Sequence, residues 1–269
     1  MRPKGRLALG ALVACVALLA IAAVAYAANT YKVFGKGTPY GAGSPAKPLP
    51  KKLFIGYQVD SDDGKQPSPV KSYEFRIQGG TQFAKYFPKC TIKQANAKEF
   101  AKADAACRKA KVGFGWVRNT TAPPGADLNG PEILTCNLRL TMYNLGYGIA
   151  LRLDGSPEAT DPRMKCVIPI GQSIEARWTK PRVRGKPGSG LKFTVPPNLL
   201  RPLPGLDNSV RYVESTINRI VRTVTINGRK RRVPYIGSIA CANKTTRYVQ
   251  VVFTSEAGQT TVAEQKTRC

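Results

Sequence analysis

Apolar side chains recur at every second position along much of this chain, in short runs separated by Gly, Pro and Asn. The clearest run is Leu134, Cys136, Leu138, Leu140 and Met142, where every intervening residue is polar. Tyr73, Phe75 and Ile77 alternate in the same way, as do Leu191, Phe193 and Val195. A period of two puts one face of a strand on a core and the other on solvent, and an α-helix cannot meet it. Residues 53–59, 111–118, 145–153, 166–170 and 173–179 add further strand candidates, with Val112, Phe114 and Trp116 on one face of 111–118 and glycines on the other. Residues 210–220 also fit a helical face through Val210, Val213, Ile217 and Ile220, but their β-branched content favours a strand. Asn227-Gly228 between β-branched runs predicts a two-residue hairpin over 223–236. A second hairpin closes the chain, with 248–254 and 260–266 flanking Glu256-Ala257-Gly258-Gln259. About twelve short strands with Gly/Pro turns predict a mainly β fold, an antiparallel β-sandwich built as one body or as two small sandwich-like subdomains.

The N-terminus has a different composition. Arg2, Lys4 and Arg6 precede an uncharged apolar run from Leu7 to Val24, which ends at Ala25-Tyr26-Ala27. This is the pattern of an export signal. The run is about 18 residues, which also approaches the length of a single membrane-crossing helix. Residues 1–27 therefore read as a signal peptide or an N-terminal membrane anchor, and either way the basic start keeps the bulk of the chain extracytoplasmic. Cys15 lies inside the apolar run and reads as a small apolar residue there. Residues 28–52 are rich in Gly and Pro and read as a linker, with folded structure expected from Leu53. Residues 180–190 form a second break, which would divide a subdomain at 53–180 from one at 190–269.

Export puts the six remaining cysteines in an oxidising place. Pairing in sequence order gives Cys90 with Cys107, Cys136 with Cys166 and Cys241 with Cys269, the last two bracketing hairpins. The segment 91–108 is rich in Ala, Lys and Gln, and Thr91 and Gln94 have capping-box spacing, so a helical insert is expected there. A straight helix across it would be about 25 Å long, whereas a disulfide needs its Cα atoms within about 7 Å. If Cys90 and Cys107 pair, the helix must double back near Ala95-Asn96-Ala97.

The chain has no histidine, 42 Lys and Arg, and 16 Asp and Glu, for a formal charge of +26. Without histidine the commonest general base and metal ligand are missing. With no CxxC pair, no zinc site is expected, and no cofactor. Asp60-Ser61-Asp62-Asp63-Gly64 matches a calcium loop only in part and reads better as a turn with Asx hydrogen bonds. Hydrolysis by paired carboxylates would draw on Glu132, Asp154, Glu175 or Glu214, none of which sits in a motif. Between Gln172 and Tyr235 there are 14 Lys and Arg against three acids. Arg229, Lys230, Arg231 and Arg232 are the densest run, with Arg182 and Arg184 nearby in sequence. Such a field suits an anionic envelope polymer or lipid surface, while an exported chain has little occasion to meet nucleic acid. Cations on an edge strand also guard it against pairing with other chains.

Several short motifs occur together: Phe87-Pro88-Lys89-Cys90, then Cys107 and Lys111-Val112-Gly113-Phe114-Gly115, then Leu191-Lys192-Phe193-Thr194-Val195-Pro196, and Tyr235-Ile236-Gly237-Ser238-Ile239-Ala240-Cys241 with Val251-Val252-Phe253-Thr254. Over roughly residues 53–269 they resemble uncharacterised exported, cysteine-containing β-rich proteins of soil actinobacteria. That resemblance implies export and disulfides and carries no site residues. The functional expectation is a non-catalytic, disulfide-stabilised extracytoplasmic domain that contacts the envelope or an anionic ligand through its basic C-terminal half. A carboxylate-based hydrolase and a protein-binding or inhibitor module are the alternatives.

Overall fold

The computed structural model describes residues 29–269. The export or anchor segment expected at 1–27 lies outside them. Strands β1 (Asn29–Thr38), β2 (Leu49–Pro50), β3 (Lys52–Ser61), β4 (Val70–Gln78) and β5 (Gly80–Gln82) come before an insert of two helices, α1 (Ile92–Ala95) and α2 (Phe100–Cys107). Next come β6 (Lys111–Ala122), β7 (Leu134–Asn144), β8 (Gly148–Gly155), β9 (Ile170–Thr179), β10 (Arg182–Val183), β11 (Lys186–Thr194) and the short helix α3 (Pro197–Leu200). The chain ends with β12 (Asp207–Ile217), β13 (Val221–Ile226), β14 (Arg229–Pro234), β15 (Ile236–Ser238), β16 (Thr246–Ser255) and β17 (Thr260–Arg268).

One antiparallel sheet dominates, in the order β1-β3-β12-β6-β7-β8-β9-β11-β4-β16-β17, with β10 paired to β11. It curls until its two edges meet, giving a nearly closed barrel. At the seam the Gly35 amide donates to Gln265 Oε1 at 2.6 Å, and Tyr31 stacks on Phe253 with centroids 4.1 Å apart. The curl has local causes. Register shifts at Val210/Tyr212 and Lys111/Gly113 bend the wall. At Gly56 the Phe34 ring lies where a Cβ would sit, so only glycine lets the strand pass beneath it. The period-two residues face inward as the sequence predicts: Leu53, Ile55, Tyr57 and Val59 on β3, and Cys136, Leu138, Leu140 and Met142 on β7, are all buried.

Five expectations need correction. Residues 28–52 are not a linker, because β1 pairs with β3 along its whole length and Lys51 is buried. Residues 180–190 are not a domain boundary. They form the β10–β11 hairpin, turned by Arg184 at φ 48° and Gly185 at φ 72°. The two subdomains at 53–180 and 190–269 are one body, since β12 lies between β3 and β6 and β4 lies between β11 and β16. Residues 166–170 are mostly irregular and join the wall only at Ile170, because Cys166 is drawn across to Cys136. The faces of β6 also differ from expectation, because the register shift at Lys111/Gly113 puts Val112 and Phe114 on opposite sides. Phe114 is 53% exposed, while Val112 and Val117 are buried.

The three disulfides pair in sequence order. In the insert the helix breaks between α1 and α2, and the Cα atoms of Cys90 and Cys107 come within 5.2 Å. Thr91 and Gln94 form the expected capping box. The insert covers the outer face of β8, so that strand is buried on both sides. Arg152 points outward from β8 and is wholly buried beneath the insert. Its Nε donates to Asp154 Oδ1 at 2.9 Å, and Nη1 donates to Ala97 O at 2.7 Å. Ser173 Oγ on β9 donates to Ala95 O at 2.8 Å. A buried guanidinium here satisfies the carbonyls left free at the end of α1. Removing one partner of such a buried pair costs about 3–5 kcal/mol. Arg152→Ala should therefore lower urea-unfolding stability by about that amount and open residues 91–108 to protease first; a loss under about 1 kcal/mol would contradict this role.

Candidate functional site

Three places stand out: the basic hairpin, the interior of the barrel and a groove on its outer wall. The hairpin β13–β14 is a two-stranded sheet apart from the barrel wall. Its turn, Asn227 at φ 50° and Gly228 at φ 73°, is the one the sequence predicts. Val224 and Ile226 pack toward the core. Arg229, Lys230, Arg231 and Arg232 are all exposed. Arg229 stands opposite Ile226 and Arg231 opposite Val224, while Lys230 and Arg232 stand opposite threonines, so cations leave both faces of the ribbon. The chain has no Asp or Glu between Glu214 and Glu256. Among the described residues, no ion pair involves Arg219, Arg222 or residues 229–232.

Arg182 and Arg184 are placed differently. They lie on the β10–β11 hairpin, on the main wall. Arg184 pairs with Glu264 at 2.6 Å and covers the Tyr248 ring at 4.0 Å, so it ties β10 to the closing hairpin. Arg182 donates to Gly185 O at 2.9 Å within its own turn. The four-residue run thus stands together on one ribbon, while Arg182 and Arg184 lie on a different hairpin.

The carboxylates named from the sequence are dispersed. Asp154 is held by Arg152, Glu175 pairs with Arg177 at 2.7 Å, and Glu214 accepts from Tyr212 Oη at 3.1 Å. Glu132 is on an exposed loop. In the acidic turn, Asp63 accepts from Ser61 Oγ and from the Lys65 amide, which makes it an Asx turn. Among the described residues, no group of three His, Cys, Asp or Glu side chains is placed to hold a metal, and no helix is long and apolar enough to cross a membrane.

The barrel interior was not legible as a site in the sequence. It holds a cavity of about 120 Å³, walled by eight consecutive strands from β3 round to β4. Leu199 and Leu200 of α3 line one end, and Ile236 of β15 with Gly80 of β5 lines the other. The walls are Leu, Ile, Val and aromatic residues, with no charged side chain among them. Asn119, Ser189 and Trp178 also line the cavity, and Asn119 Oδ1, Ser189 Oγ and Trp178 Nε1 are buried without a hydrogen-bond partner. At about 24 cal/mol per Å³, a dry void of this size costs on the order of 3 kcal/mol, a large share of a typical domain's stability. The only signal in the sequence is parity: Asn119 and Ser189 occupy inward positions in step with Val117 and Leu191. The outer groove, about 420 Å³, runs past Phe54, Phe114, Trp116 and Phe100, with Arg139 and Glu214 at its sides.

A further pair of cations is structural. Lys51 is 2% and Arg247 4% exposed. Lys51 Nζ donates to Pro39 O and Gly41 O, and Arg247 Nη2 donates to Ser238 Oγ and Cys269 Sγ. Burial, helped by Arg247, lowers the Lys51 pKa to about 8.

Comparison with protein-family models, with curated proteins and with solved structures returned no match.

The Lys51 shift fixes a pH dependence. Below about pH 8 both folded and unfolded chains carry the proton, and burying the charge opposes folding. As pH rises from about 8 toward 10.5, the folded state sheds its proton first, so stability rises. Tyr57, Tyr73 and Tyr235 have pKa values raised by burial, so above about pH 10 they ionise only on unfolding and stability falls. Urea melts at stepped pH should show the rise in the parent chain and lose it in Lys51→Met; a rise retained in Lys51→Met would remove Lys51 as its cause.

Proposed function

We propose that this chain is an exported, non-catalytic binding domain that docks on an anionic polymer or lipid surface of the cell envelope through the hairpin β13–β14. Three disulfides in a mainly β body are compatible with an oxidising, extracytoplasmic setting. The basic start and apolar run of residues 1–24 support export, and the resemblance to exported proteins of soil actinobacteria agrees with it.

The observation that carries the reading is the state of the hairpin cations. Four consecutive basic side chains stand exposed on a narrow ribbon, in a stretch of sequence without a carboxylate. A like-charged cluster held this closely is self-repelling, and an anionic surface relieves the repulsion while releasing counterions. The opposed Val224 and Ile226 seat the ribbon on the body, so the charge is presented at a fixed place. The same charges prevent the ribbon's own edges from recruiting other strands.

Each cation near an anionic bilayer contributes about 1 kcal/mol. Replacing residues 229–232 with serine should therefore weaken binding to phosphatidylglycerol-containing vesicles by about 100- to 1,000-fold. Binding by the parent chain should fall steeply between about 50 and 500 mM salt, and neutral phosphatidylcholine vesicles should not bind. Teichoic-acid-bearing wall material, tested in parallel, separates polymer from lipid. Binding to all anionic surfaces that is indifferent to salt and to the fourfold serine variant would end this proposal.

A further inference from the structure

The geometry points to the barrel interior as a binding site for one slender, uncharged aliphatic molecule of on the order of ten heavy atoms, bearing a hydroxyl or carbonyl group, a function separate from surface docking. A cavity of about 120 Å³ exceeds the room needed by one water, about 10–15 Å³, by roughly tenfold. That sets the size. The walls set the character. They are aliphatic and aromatic, so most of an occupant must be apolar. No Lys, Arg, Asp or Glu lines the space, so a carboxylate or ammonium inside would have no counter-charge.

The unpartnered polar atoms give the occupant an orientation. Trp178 on β9 stands opposite Leu191 on β11, and Ser189 is two residues before Leu191 on the same face. The indole N–H of Trp178 and the hydroxyl of Ser189 therefore belong to one end of the cavity, beside Ile77 and Gly80. Both are buried and neither has a hydrogen-bond partner. Two donors at one end of the chamber suit a hydroxyl or carbonyl oxygen there. Asn119 on β6 stands opposite Val210, two residues from Asn208, whose amide reaches Leu199 O in α3. Its free carbonyl oxygen is thus placed toward the α3 end. Buried polar atoms in a native interior are nearly always paired, and here three unpartnered ones line one apolar chamber. Water at each would satisfy the polar atoms but would leave the apolar walls facing solvent, which an aliphatic chain covers.

The test uses the disulfide-intact full chain. The chain has two tryptophans, so Trp116→Phe leaves Trp178 as the only indole reporter. Titration with 1-decanol should change Trp178 emission saturably at one molecule per chain, with a dissociation constant in the micromolar range. Decanoate and decyltrimethylammonium should bind at least about tenfold more weakly, because each would bury an unpaired charge. Val213→Phe, which fills the chamber, should weaken 1-decanol by at least about tenfold while leaving the melting temperature equal or higher. The same variant controls for uptake by the apolar run at 7–24. Ser189→Ala should lower affinity for 1-decanol about three- to tenfold and leave decane unchanged. Four results would each overturn the inference: no saturable binding of either 1-decanol or decane, equal binding by Val213→Phe, charged analogues that bind as tightly, or a Val213→Phe variant that melts lower because the interior was already full.

Discussion

The insertion of β12 between β3 and β6 is the constraint on which the rest of the structure depends. Tyr212 pairs with Gln58 on one side and Arg118 on the other, so a strand from the last third of the chain completes a wall begun near its start. Side chains lock the junction. Gln66 Nε2 donates to Asp207 O at 2.8 Å, and Thr121 Oγ1 donates to Asn208 Oδ1 at 3.1 Å. Without β12, the inward faces of β3 and β6 would lose their neighbour and the chamber between them would open. Such pairings join residues far apart in sequence, so their loop-closure cost must be met before they contribute anything, and the barrel should fold slowly for its size.

The disulfides act on a different scale. Each closes a local excursion: the helical insert, the β8–β9 crossing and the last hairpin, with separations of 17, 30 and 28 residues. None crosses from β3 to β12. Closure of the wall is therefore noncovalent and rests on inward apolar packing and on the antiparallel ladders. The seam between β1 and β17 shows how economically the edges are managed. An aromatic cluster of Tyr31, Tyr57, Tyr73 and Phe253 lies inside the barrel behind it, and charged side chains such as Lys36 and Lys266 occupy the outside. Tyr57 and Tyr73 of that cluster also line the cavity, so the aromatic packing behind the seam and the chamber share a wall.

Local features were legible in the sequence because local physics decides them. The alternation from Leu134 to Met142, the Asn227-Gly228 turn, the Thr91/Gln94 capping box and the break in the insert between paired cysteines all follow from spacing alone. What could not be read was set by partners distant in sequence. Residues 28–52 look like a linker by composition, yet β1 is held by β3, whose apolar run needed a neighbour. The glycines and prolines of 180–190 suggested a boundary, whereas Arg184 and Gly185 supply the positive φ angles of a tight hairpin. Val112, Phe114 and Trp116 read as one face, but the register shift at Lys111/Gly113 turns Val112 inward while neighbouring backbone packs closely on Gly113 and Gly115 and Phe114 stays outside. The basic hairpin was visible as a charge run, while Asn119, Ser189 and Trp178 become a set only when the wall closes around them.

Native-state hydrogen exchange, resolved by residue or by peptide, tests this account most directly. If β12 completes a single closed wall, the amides of residues 212–217 exchange together with those of β3 and β6, at the free energy of global unfolding. If residues 190–269 instead exchange as a unit of lower stability, with 53–180 still protected, the chain is two bodies in series and the interior chamber does not exist as described.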